Sequence, residues 1–124
     1  MSGRPEENDR AVDRADDLAE RRLEALARME RLQSDLTAVR SARSENSDDD
    51  EHDPEGATMS QLWSQSLGLL QGAERDLAEV DAALRRLSDD AYGICRSCGL
   101  PIDPARLDAR PTAVLCIDCA RRAS

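Results

Sequence analysis

Phenylalanine and lysine are absent from the 124 residues, and tryptophan, tyrosine and histidine occur once each. The apolar content therefore rests on Ala and Leu, which excludes a large globular core. No apolar run approaches the length of a membrane span, and the polar start, MSGRPEENDR, lacks the apolar centre of a signal peptide. Positive charge is also scarce: 17 basic residues, all Arg, stand against 26 acidic ones, for a net charge of −9. That balance argues against phosphate-backbone binding, which needs clustered cations to displace counterions. A cytosolic location is expected, with no membrane contact. In that reducing compartment four cysteines read as metal ligands or redox groups before they read as disulfides.

What the chain does contain is charge and helix formers. Charged residues make up 35% of it, and the Ala, Glu, Leu and Arg bias is that of solvated helices and coiled coils. From about Asp9 to Arg43 there is no Gly or Pro. Leu18, Ala25, Met29, Leu32, Leu36 and Val39 form an apolar stripe at helical spacing, interrupted by Arg22. A second helix is expected to begin at Asp53-Pro54-Glu55, with Asp as cap and Pro at the first helical position. Thr58 to Gln61 offers a competing capping box one turn later. Trp63, Ser66, Leu70, Ala73, Leu77, Val80, Leu84 and Leu87 then alternate steps of three and four, which places Trp63 in the seam between helices.

Two stripes of comparable length joined by a short loop pair as an antiparallel hairpin, roughly 50 Å long at 1.5 Å rise per residue. Pairing between two chains is the alternative, and intramolecular pairing avoids the association entropy. The expected fold is mostly α: an antiparallel two-helix coiled-coil hairpin with a small C-terminal four-cysteine zinc finger. Its organisation is a flexible N-terminus at 1–8, the hairpin over 9–90 with an acidic tip at 44–56, and the finger with a short tail at 91–124.

The finger rests on spacing. Cys95 and Cys98, then Cys116 and Cys119, form two Cys-x-x-Cys pairs 17 residues apart. Each pair sets two thiolates on one tight knuckle, and four sulfurs close a tetrahedral shell around one structural Zn²⁺ per chain. Zinc also compensates for the small apolar content of these residues. Within the finger, Asp103-Pro104 repeats the cap-then-Pro pattern of a helical turn, and Ala113-Val114-Leu115 reads as a short strand. Five Arg against three Asp from Cys95 onward, with no aromatic residue, is weak support for nucleic-acid binding.

At the other end of the hairpin, SDDDEHDPEG places six carboxylates in ten positions, with no Arg until Arg75. A solvated turn is the plain reading of an acidic loop. Local stability does not account for Asp48, Asp49, Asp50 and Glu51, however, because they follow a helix C-terminus, where the macrodipole disfavours negative charge, and repel one another. A calcium loop is excluded: the sixth position from Asp48 is Asp53 where Gly is required, and the twelfth is Met59. His52 reads as an exposed, protonated neighbour of these acids.

The run YGICRSCGLPIDPARLDARPTAVLCIDCA, Tyr92 to Ala120, closely resembles the zinc-finger signature of the DksA/TraR family of RNA polymerase regulators. The matching features are Tyr-Gly before the first cysteine, Gly-x-Pro-Ile after the second, Arg-Leu-x-Ala-Arg-Pro between the pairs and the final Cys-x-x-Cys-Ala. The resemblance implies a non-enzymatic transcription regulator whose hairpin enters the secondary channel of RNA polymerase. There the acidic tip, Asp50 and Asp53 first, with Asp48, Asp49, Glu51 and Glu55 adding potential, nears the catalytic centre and alters promoter complexes. No DNA is read directly, and a monomer is expected. Of the family's tip pattern Asp-x-x-Asp-x-Ala, Asp50 and Asp53 keep the spacing while Glu55 replaces Ala. Arg110 matches a basic position used for guanosine tetraphosphate. The supporting cations are replaced by Glu79 and Ala120, and the chain ends five residues after Cys119, before the longer C-terminal helix of full-length members. Weak or absent dependence on that nucleotide is therefore expected. Two other classes remain open on the residues alone: a zinc-bearing coiled-coil adaptor or dimerisation module, and a thiol oxidoreductase.

Overall fold

The computed structural model describes residues 5–45 and 54–123. Among the described residues four helices follow in order: α1 (Pro5–Glu45), α2 (Pro54–Ser88), α3 (Pro104–Ala109) and α4 (Ile117–Ala123). α1 begins earlier than the apolar stripe suggests and takes in Pro5–Asn8, placed before the helix on sequence grounds. Pro at the first helical position and the acidic Glu6-Glu7 pair beside the positive helix end favour that extension. α2 begins at Pro54, the first of the two candidate starts.

The helices divide between two compact units, one combining Met1–Arg22 with Ala78–Ser124 and the other spanning Leu23–Leu77. In each unit α1 and α2 are antiparallel neighbours. In the Leu23–Leu77 unit, Leu32, Leu36, Leu70 and Ala73 are buried together, with Met29 and Trp63 packed against them. Trp63 thus lies in the seam, and the guanidinium of Arg40 sits 5.4 Å from its ring centroid. In the other unit Leu18, Val80 and Ala83 form the seam, flanked by Leu84, Leu87 and Tyr92. Arg22, the interruption in the α1 stripe, reaches sideways to Asp81, with Nε donating to Oδ1 at 2.8 Å. The arginine keeps its helical position by carrying its charge to the edge of the seam.

α2 stops where the chain turns left-handed at Asp90, φ 58°. The Asp89 N–H donates to the Arg85 carbonyl at 2.9 Å, and Ala91 donates to Arg86 at 2.8 Å, so the last carbonyls find partners. Arg85 and Arg86 in this turn also complement the negative helix end. α3 shows the expected cap: the Asp103 side chain accepts from the Ala105 N–H at 3.0 Å, with Pro104 in the first turn.

The short strand expected at Ala113-Val114-Leu115 does not form. Among the described residues the β pairing is a single antiparallel bridge between Ile94 and Pro101. The Val114 carbonyl accepts from the Arg96 backbone N–H at 2.8 Å and the Leu115 carbonyl from the Arg106 Nε at 2.9 Å, so a lone backbone bond and a side-chain bond hold this segment in place of a repeating ladder.

Candidate metal centre

The first knuckle follows from two glycines and a set of backbone hydrogen bonds. Gly93 and Gly99 take φ of 79° and 76°, a region that disfavours any Cβ. Gly99 donates to the Cys95 carbonyl at 2.9 Å, while Cys95 donates to Leu100 at 2.8 Å and so turns the chain back on itself. The Arg96 bond to Val114 lays this knuckle beside the segment that leads to the second, which is built from the first turn of α4. Around them Cys95, Ile102, Leu107, Ala113 and Cys119 are buried as one cluster.

This arrangement brings the four cysteine sulfurs within 4.8 Å of one another. The Sγ atoms of Cys98 and Cys116 are 3.8 Å apart. Tetrahedral zinc with Zn–S bonds of about 2.3 Å needs an S···S edge of about 3.8 Å, so the spacing fits the ion. The sulfurs also interact strongly with one another. Backbone N–H groups of Cys98 and Cys116 hold the Cys95 thiol down at about 6. The neighbouring Cys116 sulfur, together with burial, pushes Cys119 up to about 12. Cys98 is also raised: its hydrogen bond from the Leu100 backbone pulls downward, but burial and the adjacent thiols outweigh it. Thiols raised in this way would ionise together only with a cation among them, and four protein ligands would leave a divalent ion no open position for water. The site is structural.

A second feature lies in the same unit. A cavity of about 420 Å³ is lined by Arg96, Arg106, Arg110, Glu79, Thr112 and Ala120, among others. The structure thus brings Arg110, Glu79 and Ala120 together, the three positions considered for an effector site. Arg96 and Arg106 were not anticipated there. Arg106 was accessible from spacing, since it precedes Arg110 by one helical turn. Arg96 arrives only through its backbone bond to Val114. Of the acidic tip residues, Asp48, Asp49, Asp50, Glu51 and Asp53 lie outside the described residues, as does His52. Glu55 falls in the first turn of α2, with its side chain outside the described set.

An antiparallel helical hairpin followed by a four-cysteine zinc finger defines the class of protein. The pattern of the prokaryotic dksA/traR C4-type zinc finger matches residues 91–124. The transcription factor DksA2 from Pseudomonas aeruginosa is similar in structure, with a TM-score of 0.76 and 30% identity, covering 91% of this chain and 81% of that one. The chain belongs to the DksA/TraR family. The RNA polymerase-binding transcription factor DksA of Escherichia coli is 46% identical over 43 residues, 35% of this chain and 28% of that protein. The Caulobacter vibrioides protein of the same name is 46% identical over 46 residues, 37% of this chain and 32% of its own length. The matched stretch therefore spans about a third or less of these curated relatives.

Proposed function

We propose that this protein is a non-enzymatic transcription regulator that binds RNA polymerase in the cytoplasm as a monomer. Its hairpin enters the secondary channel, and Asp50 and Asp53 act near the catalytic centre. The observation that carries this reading is the combination of a DksA-type finger at 91–124 with six carboxylates in the ten residues 47–56, five of them between α1 and α2 and Glu55 in the first turn of α2. Charge left without local neutralisation is useful when its partner is on another molecule. Asp48, Asp49, Glu51 and Glu55 supply potential, and DNA is not contacted in a sequence-specific way. Purified cognate polymerase should be retained by the immobilised chain, and a photo-crosslinking side chain in place of His52 should label elements of the polymerase active centre. Crosslinks confined to the outer surface, or a dimer that ignores polymerase, would favour the adaptor reading.

For the nucleotide effector, the cavity around Arg110 supports only weak binding. Three guanidinium groups line it, but Arg106 Nε is committed to the Leu115 carbonyl and the Glu79 carboxylate shares the space. A polyphosphate would meet that carboxylate with every charge it carries. Guanosine tetraphosphate should therefore change the protein's effect on polymerase little, and Glu79→Lys should increase the response.

A further inference from the structure

Tyr92 belongs to both packed clusters of the finger-bearing unit. It lies against Leu18, Val80 and Ala83 between the helices, and against Cys95, Ile102, Leu107, Ala113 and Cys119 around the sulfur site. Its hydroxyl donates to the Pro111 carbonyl at 2.7 Å, which fixes the ring from the finger side. Arg86 makes a second tie from the last turn of α2. Its own carbonyl accepts from Ala91 and Tyr92, at 2.8 and 3.1 Å. Its Nη2 donates to the Ile94 carbonyl at 2.6 Å and, longer, to Ala91 at 3.4 Å. Ile94 immediately precedes the first metal ligand.

We propose that occupancy of the four-cysteine site sets the order of the hairpin base, with Arg86 and Tyr92 as the positioning residues that carry the coupling. With the sulfurs held, the 91–94 segment has one path, and the Ile94 and Pro111 carbonyls stand where Arg86 and Tyr92 need them. Metal binding to such a site is folding free energy, so its loss releases both acceptors together. The Tyr92 ring then loses one of its two packing faces, and the seam at Leu18 and Val80 loosens. A third tie, Arg14 Nη2 to Asp108 Oδ1 at 2.5 Å, lands on α3. Asp108 is 71% exposed, so that pair is solvent-screened and carries less.

Amide hydrogen exchange on the full chain, zinc-loaded and chelator-treated, tests it with zinc content measured in parallel. In the wild type, chelation should accelerate exchange at residues 80–90 by about tenfold or more, as expected for losing two hydrogen bonds. Zinc-loaded Arg86→Ala should keep its metal yet show residues 80–90 already accelerated about fivefold. Arg86→Lys should restore part of the protection, because its ammonium is the nearest in reach to the Nη2 that donates to Ile94. Should Arg86→Ala fail to hold zinc, Tyr92→Phe decides, since it keeps the ring and loses only the bond to Pro111. Residues 80–90 indifferent to chelation would overturn the proposal, as would zinc-loaded variants protected like the wild type.

Discussion

Leu18 and Leu32 sit on one stripe of α1, two heptads apart, one in each compact unit. Leu32 is buried by Leu36, Leu70 and Ala73, with Met29 and Trp63 at the side, so its neighbours are other seam residues of the two helices. Leu18, which is 0% exposed, shares its seam with Tyr92, and Tyr92 belongs equally to the finger cluster. The same heptad grammar thus acts in two settings. In the Leu23–Leu77 unit the seam is the main source of cohesion. In the other it is continuous with a cluster organised by four sulfurs and directed hydrogen bonds. A regular apolar stripe shows where helices meet, and the residues after the helix determine how firmly they are held.

Removing the metal should separate the behaviour of the two units most. Chelation, or Cys98→Ser, should unfold the 91–123 region, because apparent zinc-binding energies of about 10–16 kcal/mol are typical of structural sites. Hydrogen exchange at residues 63–73 should change little. Next in size are Leu18→Ala and Leu32→Ala. Each should cost about 2–5 kcal/mol, and Leu18→Ala should also weaken zinc retention, which a competing chelator measures. Equal retention in the two variants would mean that the seams do not differ.

Tyr92→Phe sharpens the contrast at a smaller scale, with an expected loss of about 1 kcal/mol from the bond to Pro111. Burial raises the Tyr92 pKa above its ordinary value, more than Arg14 lowers it. The unfolded chain then ionises first, so stability present below about pH 10 is lost as pH rises beyond it. The Phe variant should lose that alkaline dependence, as denaturant titrations at pH 8 and pH 10.5 would show. Smallest is Arg40→Ala, at about 0.5–1 kcal/mol for an exposed cation–π contact, read through Trp63 fluorescence.

The two helices and the four-cysteine site were legible because each depends on short-range rules. Steps of three and four fix which face of a helix is apolar, and Cys-x-x-Cys fixes a knuckle. Ala83 was missed, although it is buried beside Val80, because a small side chain barely marks a stripe. The strand at 113–115 was misread because β-branched and aliphatic residues report a preference for extended backbone, whereas a ladder needs repeated backbone pairing and the Leu115 carbonyl is met by the Arg106 side chain instead. Tyr92 appeared in the sequence only as part of the Tyr-Gly signature. Its double allegiance is a tertiary fact, set by a ring large enough to reach two clusters at once.

The central claim is that the acidic segment between α1 and α2 acts on polymerase while the rest of the chain positions it. The most direct measurement is the half-life of competitor-challenged promoter complexes formed by cognate RNA polymerase, with wild-type protein and with Asp50→Asn/Asp53→Asn. The account predicts that the wild type changes the half-life, and that the double variant, equally folded and equally bound to polymerase, leaves it at the protein-free value. A double variant as effective as the wild type would contradict it.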